Sequence, residues 1–167
     1  MVVNEANPVE GLTINQIRAI FSGGVTNWAE VGGTDAGIIR YVQDSASGAR
    51  EAFQQFLGFE IDDTLCAVSG FSGGQPTGLG NVAIEANGIT SASLGLALAF
   101  EGVKPLSIDG IAPTEENLLS GEYWLYRDFF LLTSGEPEGE TAAFIDYCTS
   151  DPKAIQYMRE KGYFLLN

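Results

Sequence analysis

The sequence predicts an α/β domain: a mostly parallel sheet flanked by helices. Two patterns carry this. Short apolar runs alternate with segments whose apolar residues recur at helical spacing, along the whole chain. The runs that read as strands are separated by helices rather than by two-residue hairpin turns, which favours parallel pairing. Composition sets the scale. With 167 residues, 45% hydrophobic and 18% charged, the chain is long enough for one domain with a real core and short for two. Residues 1–167 therefore read as a single domain.

Residues 1–4 read as a short strand and residues 5–11, with Pro8, as a turn. Thr13 is placed to cap a helix whose apolar face is Ile14, Ile17, Ile20 and Phe21, ended by Gly23-Gly24. Trp28 follows in a loop, where an anchoring role is favoured over ligand stacking. The run from Ile38 to Val42 reads as a strand, and Ala49, Ala52, Phe53, Phe56 and Leu57 as the apolar face of a helix that Gly58 stops. Between them lies Gln43-Asp44-Ser45-Ala46-Ser47-Gly48, with Ser47 as N-cap. A strand-loop-helix junction leaves backbone N–H groups free at the helix start. Those donors and the serine hydroxyls suit a small oxyanion, although an ordinary capped helix has the same local pattern.

Residues 64–68 read as a buried strand. Residues 69–78 form the most glycine-rich stretch, read either as a second anion nest or as a flexible connection. Asn81 to Ala86 belongs to a helix stopped by Asn87-Gly88. Residues 94–100 fit a strand or a short buried helix, which periodicity does not separate. Residues 104–108 alternate and read as a strand. Thr114 is an N-cap for a short helix ended by Gly121. Residues 123–133, rich in Tyr, Trp, Phe and Leu, make the longest strand candidate. Helices follow over about 137–161, the first with Ala142, Ala143, Phe144, Ile145 and Tyr147 toward a core and the second capped by Asp151-Pro152. Residues 163–166 close as a strand.

The composition narrows function. The formal charge is −14, with only eight Lys and Arg, which speaks against nucleic-acid binding. Histidine is absent, which excludes imidazole acid–base chemistry, and no residue pattern points to a metal or cofactor. Ser45 and Ser47 have no base to make them nucleophiles, so the chain does not read as an enzyme. Cys66 and Cys148 fit either a disulfide or two buried free thiols, with a slight lean to thiols. No apolar run is long enough for a membrane helix, and no signal-peptide pattern is present.

Four blocks carry a resemblance. They are Ser45-Ala46-Ser47-Gly48-Ala49-Arg50-Glu51-Ala52-Phe53; Leu12 to Gly23 with Thr26-Asn27-Trp28 and Val31-Gly32-Gly33; Val103 to Thr114; and Gly135-Glu136-Pro137. In order and spacing they resemble the substrate-binding proteins of phosphate ABC transporters. There, a strand ends in arginine and Gly-Ser-Gly-Thr-Arg-Glu-x-Phe opens a helix.

The resemblance implies one lobe of a type II periplasmic-binding-protein fold. It also implies phosphate or a similar small oxyanion as ligand, a membrane ABC permease as partner in the parent system, and an extracytoplasmic location. The ligand candidates carried over are Gln43, Ser45, Ser47, Gly48, Ala49 and Arg50. Two of them depart from the pattern. Gln43 stands at the strand-end arginine and Ala49 at the threonine, removing a charge and a hydroxyl, so weakened or lost affinity is expected. For Arg50 a surface ion pair is favoured over ligation.

The family is two-lobed. Residues 1–4 resemble the first crossing strand and residues 123–133 the returning one, with the first lobe missing. In a two-lobed member the returning strand would pair with Val2-Val3; with the first lobe missing, the apolar faces of the C-terminal helices need another cover: a rearranged position, a second copy of the chain, or a partner chain. The alternative function is an interaction or structural module whose ligand site has decayed.

Overall fold

The computed structural model describes residues 1–69 and 74–165. Five strands build the main sheet: β1 (Val2–Asn4), β3 (Ile39–Gln43), β4 (Ala67–Ser69), β5 (Gly88–Thr90) and β6 (Val103–Pro105), in the order β4-β3-β5-β1-β6. A two-stranded sheet pairs β2 (Gly11–Leu12) with β7 (Ser107–Ile108). The helices are α1 (Ile14–Phe21), α2 (Gly48–Leu57), α3 (Gly74–Ile84), α4 (Leu94–Ala99), α5 (Glu115–Leu119), α6 (Gly139–Ser150) and α7 (Pro152–Glu160). The α/β class holds, and the sheet is mixed. Around β3 the pairing is parallel to both β4 and β5, whereas β1 runs antiparallel to both its neighbours.

Alternation along β1 explains the layers. Val3 faces a core with Ile17, Ile20 and Phe21 of α1, Phe53 and Leu57 of α2, and Val42 and Ile89 of the sheet. Val2 points the other way, against Leu79 of α3 and Ala97 of α4. Helices thus cover both sheet faces, as expected for strands without a polar face. Phe21 and Phe53 meet edge to face, with ring centroids 4.9 Å apart. Trp28 is fully buried, and its Nε1 donates to Asn87 O at 3.0 Å, which is the anchoring role. Caps act where the sequence places them. Thr13 and Gln16 form a reciprocal capping box on α1, Thr114 accepts from Asn117 N, and Asp151 accepts from Lys153 N and Ala154 N before Pro152.

Some open readings are decided and some expectations are corrected. Residues 94–100 resolve as helix α4. The strand over 104–108 splits into β6 and β7 in different sheets, with buried Leu106 between. Helix α3 begins at Gly74, earlier than expected, because Pro76 sits in its first turn, where the missing N–H costs nothing. Residues 70–73 of the glycine-rich stretch lie outside the described residues, as does Leu166 of the closing strand, and residues 74–78 of that stretch open α3. Residues 163–165 are not in a strand. Cys66 and Cys148 are free thiols.

The largest correction concerns residues 123–133, which form no strand. An aromatic-rich composition makes a strand only beside a partner edge. Both edges of β1 are occupied, by β5 and β6, so Val2 and Val3 have none to offer. Helix α6 occupies its expected place, but Phe144 and Tyr147 do not reach a core; they are 60% and 52% exposed. Attachment of α7 is local. Arg159 Nε lies 2.9 Å from Glu115 Oε1, and Gly95 of α4 meets the backbone of Lys161 so closely that a Cβ there would sit 1.9 Å from Lys161 O.

Candidate functional site

The site expected from sequence is where β3 ends and α2 begins. This is the carboxyl end of the parallel part of the sheet, the edge where open α/β sheets place ligands. Asp44 Oδ1 accepts from Ala46 N at 2.9 Å and Asp44 O accepts from Ser47 N at 3.1 Å, which folds the loop back onto the helix. Ser47 is the N-cap residue, in extended conformation, yet its side chain makes no capping hydrogen bond. Its hydroxyl and the N–H groups of the first turn therefore remain for another acceptor. The positive end of the α2 dipole adds a modest field of the same sign. Gly58 closes the helix at φ 82°, a left-handed conformation suited to glycine.

The six candidates divide. Ser47 and Ala49 are half-buried and Gly48 is exposed at the helix start. Ser45 lies exposed on the loop. Gln43 and Arg50 lie beneath it, 1% and 3% exposed.

Arg50 is not the surface ion pair expected. Nη1 donates to Gln43 O at 3.0 Å and Nη2 to Ile61 O at 2.9 Å; Nε reaches Gln54 Oε1 at 3.3 Å, and Nη2 lies 2.6 Å from Asp63 Oδ1. The guanidinium clips the end of β3 to the segment after α2, away from solvent. Arg40 is likewise buried, donating to the carbonyls of Ile20, Val25 and Leu65. Both arginines are structural, because backbone carbonyls at strand and helix ends need donors.

Gln43 Nε2 donates to Ser91 O at 3.1 Å, whereas its Oε1 is buried with no hydrogen-bond partner among the described residues. A buried acceptor without a donor is uncommon and invites an occupant. Thr90 Oγ1 donates to Tyr41 O at 2.9 Å. Gln43 and the Thr90-Ser91 pair are thus neighbours across β3 and β5, a proximity the sequence does not reveal.

Sequence reasoning missed one residue. Arg127 follows α5 and returns to this edge, where Nη1 donates to Gly48 O at 3.2 Å. Its guanidinium carbon stands 5.5 Å from the centre of the Phe129 ring. The available signal was a single cation inside the aromatic run from Tyr123 to Phe130.

Burial pushes the Cys66 thiol up, and no group of three or more Cys, Asp and Glu residues arranged for a metal occurs among the described residues. No helix of the described residues is long and apolar enough to cross a membrane.

Comparison with known proteins agrees with this architecture. The chain is 28% identical over 170 aligned positions to the phosphate-binding protein PstS of Bacillus subtilis; the match takes in 96% of this chain and 52% of that one. A phosphate ABC transporter substrate-binding protein from Clostridium perfringens, solved with bound phosphate, superposes with a TM-score of 0.83 at 29% identity, over 99% of this chain and 67% of that one. An ABC-type phosphate transport receptor from Vibrio cholerae gives 0.80 at 29% identity, over 98% and 67%. The chain thus spans about half the length of the Bacillus relative. The family described as the PBP superfamily domain matches residues 1–152, and the chain belongs to that family.

Proposed function

We propose that this chain is a solute-binding lobe that holds a small oxyanion, phosphate by its likeness to phosphate-binding relatives, at the start of α2. The observation that carries the reading is the uncapped helix start at the carboxyl end of β3. Backbone N–H groups and a hydroxyl converge there in a fold whose relatives include a phosphate-bound receptor. Ligand capture, not catalysis, is the activity. Affinity is weak, in the millimolar range of about −4 kcal/mol, because Gln43 and Ala49 lack the charge and hydroxyl of the family pattern.

In the parent system the lobe faces a first lobe across the ligand, works outside the cytoplasm, and delivers phosphate to a membrane ABC permease. Exposed Trp124, Tyr126, Phe129 and Phe130 and the outer face of α6 are the surfaces that a first lobe would cover. A phosphate titration of the wild-type chain and of the Gln43→Arg/Ala49→Thr double variant tests the site. Binding that strengthens at least tenfold in the variant supports it; binding unchanged by both substitutions removes the loop from consideration.

The same exposed aromatics favour a second reading, an interaction module that self-associates through this face. Light scattering distinguishes it. A monomer at high concentration argues against self-association, and a dimer that dissociates on Phe130→Ser argues for it.

A further inference from the structure

We propose that Arg127 is the anion-binding arginine of the α2 site, supplied from the segment after α5 in place of a cation at the end of β3. The inference rests on the oxyanion reading above and adds to it the residue that provides the positive charge. The chain carries a formal charge of −14, so an anion site needs a local cation to offset the surrounding field.

Four of the five arginines are committed elsewhere. Arg18 donates to Leu57 O, Arg40 to three carbonyls, Arg50 is held beneath the loop, and Arg159 pairs with Glu115. Arg127 differs. Its Nη1 and Nη2 stand 3.5 and 3.8 Å from the point where a Cβ on Gly48 would sit, so the guanidinium lies against the first residue of α2. Gly48 O takes one of the five guanidinium donors, leaving others for an oxyanion, and the Phe129 ring steadies the plane.

A second, independent feature points to a ligand at this edge. Gln43, at the last position of β3, is 1% exposed and its Oε1 has no partner among the described residues. That acceptor suits an oxyanion that still carries an O–H. The ligand class is therefore a protonated tetrahedral oxyanion, gripped by the Arg127 fork and the N–H groups of α2.

The test is calorimetric titration of the wild-type chain with inorganic phosphate, alongside Arg127→Gln, Arg127→Lys and, as a charge-matched control on α7, Lys153→Gln. The expected result is at least a tenfold loss for Arg127→Gln and an intermediate loss for Arg127→Lys, which keeps the charge without the fork. Lys153→Gln should bind as wild type does. The ligand-free melting temperature of Arg127→Gln should stay within about 2 °C of wild type, since the side chain is exposed. Wild-type affinity in Arg127→Gln overturns the assignment while leaving the α2 site intact. A wild-type chain that takes up no phosphate overturns both.

Discussion

The two tryptophans occupy opposite situations. Trp28 is fully buried, with its indole nitrogen hydrogen-bonded to Asn87 O. Trp124 is 45% exposed and tilts against Phe56 at 4.7 Å between ring centres. The contrast extends to the regions around them. Up to Tyr123, helices cover both faces of the sheet and the structural arginines serve backbone carbonyls. Beyond it, Phe129, Phe130, Leu132, Phe144 and Tyr157 are each more than half exposed. One chain therefore holds a covered core and, beyond Tyr123, a largely exposed apolar surface. The start of α2 lies at the seam, where Arg127 donates to Gly48 O from the exposed side.

The strongest way to break this contrast is to exchange the tryptophans for alanine. Trp28→Ala should cost about 3–5 kcal/mol, as large aromatic deletions in cores do, lowering the melting temperature by roughly 10 °C or more. Trp124→Ala should cost less than about 1 kcal/mol. Equal losses would show that the C-terminal region packs as firmly as the core.

Arg50→Met comes next. Two buried carbonyls, Gln43 O and Ile61 O, lose their donor, and about 2–4 kcal/mol of stability should go with them in denaturant unfolding. The exposed partner Asp63 contributes little to this figure, so Asp63→Asn should be mild.

A third effect is tied to pH. Burial of the Tyr123 hydroxyl pushes its pKa up to about 12 from the ordinary 10. The unfolded chain then loses its proton first. The contribution is intact below pH 10 and is lost as pH rises toward 12, by at most about 2–3 kcal/mol. Unfolding measured across that range should fall more steeply in wild type than in Tyr123→Phe.

The smallest expected change in global stability comes from Gly95→Ala. The added Cβ meets Lys161 O and displaces α7 from α4. Limited proteolysis should then cut within residues 134–165 sooner, while the core's melting transition moves little. Unchanged cleavage would mean that α7 is held by more than this approach and the Arg159–Glu115 pair.

The same boundary separates what the sequence reveals from what it does not. Capping residues and helical periodicity are local, so Thr13, Ser47, Thr114 and Asp151 could be placed by inspection. Strand identity is not local. The run 123–133 has the aromatic content of a strand, but pairing depends on a free edge, and β1 has none. Burial of Arg50 was hidden for a related reason. An arginine's partners are the carbonyls of distant turns, and no spacing rule announces them. Arg127 was hidden because 79 residues separate it from Gly48, its contact at the site.

The decisive measurement is thermal unfolding with and without phosphate at about 100 mM, a hundredfold above a millimolar Kd, with sulfate at equal ionic strength as control. Phosphate at about a hundred times its Kd adds about 2.7 kcal/mol, a rise of roughly 5–10 °C in a domain of this size. A phosphate-selective rise that Arg127→Gln reduces is the expected result. An identical response to phosphate and sulfate, or none to either, would contradict it.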